Sequence, residues 1–170
     1  AGVLGVIGGD DDAGHVLGSA MVKVVVHQNG DERTSIFSGD IGGWDKPILH
    51  NPTLFAEADY ILVESTYGDR LLGSSAEAAD ELAQVVSMTA KAGGNIVIPS
   101  FALERSQELL YYLNKLRLED RIPHLMVFVD SPMAISITKV FAHYPALFDA
   151  DVVDLIRRGK SPFDFPGLHL

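Results

Sequence analysis

The chain changes character at the stretch Tyr60-Ile61-Leu62-Val63-Glu64-Ser65-Thr66-Tyr67-Gly68. Its first four residues form a short apolar run, which is typical of a buried strand. Upstream, the β-branched run Met21–His27 and the segment Thr34–Phe37 lie on either side of Asn29-Gly30. Asn-Gly between two such runs is a strong hairpin signal, because both residues tolerate positive φ. The sequence before Tyr60 therefore predicts antiparallel strands joined by a tight turn.

After this stretch, strand signals and helix signals alternate. The spacing of apolar residues predicts helices over about 76–92, 103–118, 134–143 and 149–158, and buried strands over about 95–99 and 125–129. Ser74 or Ser75 is the predicted cap of the first helix, and Gly93-Gly94 is its predicted stop. Such an alternation is typical of parallel strands with crossover helices. The chain is therefore predicted to be an α/β protein that is antiparallel at first and Rossmann-like afterwards.

The composition is that of an ordinary globular protein, with 47% hydrophobic and 21% charged residues among 170. The absence of cysteine excludes disulfides and thiolate zinc sites, so that His, Asp and Glu remain as metal ligands. It also fits a reducing compartment, and we expect a cytoplasmic location. The formal net charge of −10 argues against a nucleic-acid partner, unless bound cations or basic surface outside this chain supply the counter-charge.

Two glycine-flanked residues are candidate metal ligands. His15 lies between Gly14 and Gly18 in a loop that leads into a strand, where an imidazole can approach a metal without crowding. Asp40 follows a strand end directly, where a carboxylate can bind one or two cations. Each residue taken alone is better explained as a loop residue that hydrogen-bonds to nearby groups.

Glu64 follows the apolar run at residues 60–63. A carboxylate in that position is unfavourable unless it is paired, so the sequence predicts a partner such as a histidine or a basic group. In a purely structural interpretation, Arg70 is that partner. One histidine and two carboxylates do not make a dinuclear metal site, so the residues alone predict only a His/Asp/Glu cluster.

Three further residues are candidate substrate contacts. Ser100, Arg105 and Ser131 lie where a predicted strand gives way to a helix. Ligands of open α/β sheets bind in this crevice, and helix N-termini there can hold phosphate oxygens. Simple capping of the two helices is the alternative explanation.

Five segments occur together in one order, namely Asp12–Ala20, Phe37–Gly42, Val63–Arg70, Pro99–Glu108 and Val129–Ala134. This combination resembles the β-CASP branch of the metallo-β-lactamase superfamily, and most of all its RNA-acting cleavage and polyadenylation factor type. The resemblance covers about residues 12–170. It implies part of a metallo-β-lactamase αββα domain over residues 1–66, followed by part of a Rossmann-like β-CASP domain over residues 67–170.

The resemblance also implies roles for individual residues. His15 falls on a zinc ligand of the family, and Asp40 falls on an aspartate that bridges two zincs. Glu64 falls on the acidic residue that hydrogen-bonds a catalytic histidine. The implied activity is zinc-dependent hydrolysis of phosphodiester bonds in single-stranded RNA, as in the endonucleases and the ribonuclease J relatives of the branch.

Parts of the family's metal site have no counterpart in this chain. The His-x-His-x-Asp-His run and the later histidines of the family are absent, and His27, His50, His124, His143 and His169 match none of its ligand positions. We therefore expect a fragment with an incomplete zinc site and little or no activity alone. Unpaired sheet edges would favour self-association, so a homodimer is also considered.

Two other functions remain open at this point. The chain could serve as a non-catalytic scaffold or interaction subunit of an RNA-processing complex, since the family has members with degraded metal sites. DNA is an alternative substrate, because nothing in the sequence reveals contacts to the 2′-hydroxyl group of RNA. A small-molecule hydrolase is disfavoured, because such relatives lack the α/β portion that follows Glu64.

Overall fold

The computed structural model describes residues 3–6, 11–70 and 75–170. These residues form two compact units that divide between Leu71 and Leu72. The predicted domain boundary at residues 66 and 67 remains a prediction. Each unit has its own architecture.

The first unit is built on a four-stranded sheet in the order β1-β2-β3-β4. Its strands are β1 (Val3–Val6), β2 (Val22–Gln28), β3 (Asp31–Phe37) and β4 (Tyr60–Leu62). The first three strands are antiparallel, whereas β4 runs parallel to β3. Asn29 and Gly30 connect β2 to β3 with φ of 54° and 90°, which is the geometry of a type I′ hairpin turn. The predicted hairpin is therefore confirmed.

The strand β4 differs from its prediction. Tyr60, Ile61 and Leu62 were expected to be buried, yet their residues are between 55% and 63% exposed. The strand lies at the edge of the sheet, and residues 11–70 contain no helix that could cover it. An apolar run predicts a strand, but its burial depends on a covering layer that the run itself does not encode.

The second unit is mainly helical. Its helices are α1 (Ser75–Lys91), α2 (Arg105–Leu118), α3 (Pro132–His143) and α4 (Ala150–Arg157), with a 3₁₀ turn at Pro145–Leu147. Gly93, with φ of 70°, follows the end of α1 as predicted. Ser74, one of the two predicted caps of that helix, lies outside the described residues. All four predicted helices are thus confirmed within two residues at each end.

Two apolar clusters hold the second unit together. Ala83 and Val86 of α1 pack with Leu113 and Leu116 of α2, and Ile122 completes this cluster. A separate aromatic cluster joins the end of α3 to the chain beyond it, with ring centroids 5.8 to 6.2 Å apart, and consists of Phe141, Phe148 and Phe163. Burial of such side chains is the main stabilising term of a small unit.

The strands of the second unit are fewer and shorter than predicted. Residues 95–99 form no strand, and Val97 is 90% exposed. The prediction for residues 125–129 contracts to β5 (Val127–Phe128), which pairs in parallel with β6 (Leu168–His169). An apolar run becomes a strand only if a neighbouring strand accepts its hydrogen bonds, and residues 95–99 pair with no described strand. The mixed α/β class is confirmed, with a parallel sheet of two strands in this unit.

Within the described ranges, no helix is both long enough and apolar enough to cross a membrane.

Candidate functional site

The loop that carries His15 is closed by its own hydrogen bonds. A bridge between Asp12 and Ala20 forms its neck. The Ser19 hydroxyl accepts hydrogen bonds from the backbone N–H groups of His15 at 3.1 Å and of Val16 at 3.2 Å. A serine that accepts from two successive amides fixes the backbone around the imidazole.

The loop that carries Asp40 follows β3 and contacts the His15 loop through the backbone. The Gly42 N–H donates to the Ala13 carbonyl at 2.8 Å. A Cβ atom on Gly42 would lie 1.6 Å from the Gly14 carbonyl oxygen, so only glycine permits this approach. The two loops therefore lie backbone against backbone, which brings their candidate ligands together.

His15 and Asp40 face each other across this contact. The His15 Nε2 atom lies 3.9 Å from Asp40 Oδ2, and the two side chains are 41% and 74% exposed. The structure thus brings together the two residues that the sequence singled out separately. Both side chains remain open to solvent, and no described group of three or more His, Asp or Glu side chains is placed to hold a metal ion.

Glu64 stands beside this pair and ties β4 to the Asp40 loop. Its Oε1 atom accepts from the Ile41 N–H and its Oε2 atom from the Thr66 hydroxyl, each at 2.6 Å. Its own N–H donates to the Ser38 hydroxyl at 3.1 Å. The hydroxyl of Thr66 and the amide of Ile41 hold the pKa of the Glu64 carboxyl below its ordinary value. Glu64 is therefore an anion that fixes the residue next to Asp40.

The interpretation of Arg70 as the partner of Glu64 was wrong. The Arg70 guanidinium lies over the Tyr67 ring at 5.6 Å, and its Nε atom lies 3.6 Å from Asp69 Oδ1. Backbone and hydroxyl donors supply the pairing that Glu64 requires. Opposite charges can be found in a sequence, whereas the Ile41 N–H is brought near Glu64 only by the loop geometry.

Removal of the Glu64 charge is expected to destabilise the first unit in a pH-dependent way. Because the folded pKa lies below the ordinary value of 4.5, the stabilisation is fully present above about pH 5 and is lost as the pH falls through the folded pKa. Urea unfolding of the wild type and of Glu64→Gln should therefore differ at about pH 7 and converge at about pH 3. Thr66→Val removes the donor with the largest effect on the Glu64 pKa. In that background, the effect of Glu64→Gln on the free energy of unfolding at neutral pH should be smaller. An equal gap at both pH values would contradict this assignment.

A contact that sequence reasoning missed lies behind the His15 loop. The His50 Nδ1 atom lies 3.1 Å from Asp12 Oδ2, and the Thr53 N–H donates to the Asp12 carbonyl at 2.8 Å. His50 had matched no ligand position of the resembling family. Its separation of 38 residues from Asp12 leaves no local sequence signal for the pairing.

The predicted substrate contacts lie in the second unit. Ser131 is the N-cap of α3, and its hydroxyl accepts from the Ala134 N–H at 3.2 Å. Ser100 Oγ lies 3.4 Å from the Ser106 hydroxyl. Arg105 begins α2, and its guanidinium is 3.0 Å from Glu108 Oε2 while remaining 69% exposed. Ser131 thus performs the capping role considered above, and the phosphate contacts of all three residues remain predictions.

Comparison with known proteins gives one domain match and several relatives. Residues 106–170 match the Beta-Casp domain. The chain is 37% identical over 158 residues to "Ribonuclease TTHA0252" of Thermus thermophilus, covering 93% of this chain and 35% of that protein. It is 30% identical to an "RNase J-like protein" of Methanocaldococcus jannaschii, covering 89% of this chain and 36% of that protein. It is also 30% identical to a "Transcription termination factor FttA" of Lokiarchaeum, covering 89% of this chain and 24% of that protein.

The chain therefore spans between about a quarter and about a third of the length of these curated relatives. Both units are included, since each alignment covers at least 89% of the chain.

Proposed function

We propose that this chain is part of a metal-dependent ribonuclease. The Beta-Casp match at residues 106–170 supports its resemblance to the β-CASP branch of the metallo-β-lactamase superfamily. The observation that carries the proposal is the meeting of His15 and Asp40 at 3.9 Å on two loops in backbone contact. The proposed reaction is hydrolysis of phosphodiester bonds in single-stranded RNA. Relatives named ribonuclease and RNase J-like protein support this substrate class.

The residues present fit part of a zinc site. A distance of 3.9 Å is shorter than two zinc–ligand bonds of about 2.0 to 2.2 Å each, so both side chains can reach one ion. Imidazole and carboxylate form a donor set that zinc accepts. Since catalytic zinc usually has about three protein ligands, further ligands must complete the site. A bound metal supplies an activated water and stabilises negative charge on the phosphate.

The chain's own residues have distinct proposed roles. His15 and Asp40 would hold the metal, and Asp40 would be a ligand shared by both ions in a two-metal site. Glu64 positions Asp40 through the Ile41 amide, and in the complete protein it orients a histidine that acts as proton donor. Ser100, Arg105 and Ser131 are proposed to contact RNA phosphates, and the Arg105 guanidinium, which is 69% exposed beside Glu108, can donate to a phosphate oxygen.

The finer architecture belongs to the same proposal. Residues 1–66 form part of a metallo-β-lactamase core, and residues 67–170 form part of a Rossmann-like β-CASP domain. We propose a cytoplasmic protein whose sheet edges permit a homodimer.

The test is a cleavage assay on the longer protein that contains this segment. Matched labelled single-stranded RNA and DNA are incubated with it, with and without a chelator. We expect cleavage of RNA that is abolished by chelation and restored by zinc. The 170-residue chain, assayed in parallel, should cleave neither substrate and should retain almost no zinc after dialysis.

Each other outcome has a definite meaning. Cleavage of DNA alone would establish the DNA-directed alternative. Cleavage by the 170-residue chain that is lost in His15→Ala would overturn the incomplete site. A folded long protein that cleaves neither substrate would favour the scaffold function, with which the net charge of −10 is consistent.

A further inference from the structure

The His15 loop is contacted by two other segments of the first unit. One is the Asp40 loop, whose Gly42 N–H donates to the Ala13 carbonyl. The other is the segment His50–Thr53, which we call the back segment. A Cβ atom on Gly14 would lie 2.9 Å from Pro52 Cδ and 3.0 Å from the His50 carbonyl oxygen. The loop is therefore in contact with both the Asp40 loop and the back segment.

The back segment holds the loop through one backbone contact and one side-chain contact, both at Asp12. The backbone contact is the Thr53 N–H bond to the Asp12 carbonyl at 2.8 Å. The side-chain contact joins His50 Nδ1 to Asp12 Oδ2 at 3.1 Å. The two side chains are 44% and 35% exposed, so water competes with the pair only in part.

The His50–Asp12 pair lies where it can influence the conformation of the loop that carries His15. Asp12 lies in the neck of the loop, opposite Ala20, and only Ala13 and Gly14 separate it from His15. Gly14 and Gly18 have φ of 61° and 79°, so the loop contains glycine positions that would allow other conformations if the neck were released. Fixing the neck limits the directions in which the imidazole can point.

We propose that His50 and Asp12 are positioning residues that set the orientation of His15 toward the metal. This inference rests on the proposed function, since it presupposes that His15 is a ligand. Neither residue is assigned as a ligand, and both act on His15 through the backbone of its loop. Loss of a partner that hydrogen-bonds a ligand directly typically weakens metal affinity about 10- to 100-fold, so we expect a loss at the lower end of this range.

The test uses zinc chloride as the probe and the ring proton signals of His15 as the readout, recorded by NMR on the 170-residue chain. Site-resolved signals report weak binding that an incomplete site would give. We expect Asp12→Ala and His50→Ala each to raise the zinc dissociation constant at His15 about 10-fold. The double variant should be no weaker than either single variant, because the two residues act as one unit.

Rescue separates positioning from folding. His50→Arg keeps a side-chain N–H donor within reach of Asp12 and should restore zinc affinity to near the wild-type value. The matched control is His27→Gln, because His27 forms a comparable exposed pair with Glu32 at 3.3 Å on the hairpin, away from the loop. This control should leave the zinc affinity unchanged.

The outcomes distinguish this inference from the proposed function. If zinc chloride leaves the His15 ring signals of the wild-type chain unshifted, the proposed function fails. If zinc shifts the His15 ring signals of the wild type while Asp12→Ala and His50→Ala retain full zinc affinity, the ligand assignment stands and the positioning role is refuted. Additive losses in the double variant, without rescue by His50→Arg, would also refute it.

Discussion

Asp40→Asn is expected to lower RNA cleavage by the longer protein by more than about 100-fold, beyond the loss that removal of an outer partner of a ligand produces. The substitution preserves the shape of the side chain but removes the charge with which it binds a cation. Because the Asp40 side chain is 74% exposed, the fold should persist. The measurement is the initial rate of cleavage of labelled RNA at saturating zinc.

The matched control for this experiment is Asp31→Asn, at the turn of the hairpin, where the carboxylate is exposed and remote from the site. It changes the net charge by the same amount and should leave the rate intact. Equal losses in the two variants would assign the effect to overall charge rather than to metal binding. Full activity of Asp40→Asn would remove Asp40 from the site.

Gly42→Ala is expected to destabilise the first unit by about 2 to 4 kcal/mol. The added Cβ would lie 1.6 Å from the Gly14 carbonyl oxygen, so the two loops must separate. Forced overpacking of this kind costs about 1 to 3 kcal/mol, and loss of the Gly42–Ala13 hydrogen bond adds about 1 kcal/mol. Trp44 is the single tryptophan of the chain, and its fluorescence during urea unfolding reports on this unit.

The neighbouring glycine provides the control. A Cβ on Gly43 would meet nothing nearer than Lys46 Cε at 3.9 Å, so Gly43→Ala should change the free energy of unfolding by less than about 0.5 kcal/mol. Equal effects of the two substitutions would show that the loops do not require the close approach. Gly42→Ala should also weaken zinc binding at His15, since it separates His15 from Asp40.

The sequence predicted those parts of the fold that are encoded by neighbouring residues. The hairpin follows from Asn29-Gly30, and the four helices follow from the spacing of their apolar residues. The prediction of a strand over residues 95–99 was wrong. A strand needs a partner strand for its hydrogen bonds, and the spacing of apolar residues does not reveal that partner. The exposure of β4 has the same origin.

The candidate site was predicted only in part for a related reason. His15 and Asp40 were recognised individually, yet their proximity depends on the backbone contact of Gly14 with Gly42. The pairing of Glu64 with the Ile41 amide and of Asp12 with His50 crosses 23 and 38 residues. No local sequence pattern encodes contacts at such separations. The roles of His15, Asp40 and Glu64 were therefore inferred from the resemblance to a family and not from residue spacing.

The parallel pairing of β3 with β4 has a consequence for the order of folding. The hairpin of β2 and β3 closes around two residues and can form within microseconds, whereas β4 must be recruited across residues 38–59. Closing that longer loop carries a larger entropic penalty, so it belongs to the later events of folding. Because Glu64 follows β4 and fastens the Asp40 loop, we expect a nascent chain to fix the position of Asp40 only after this strand docks.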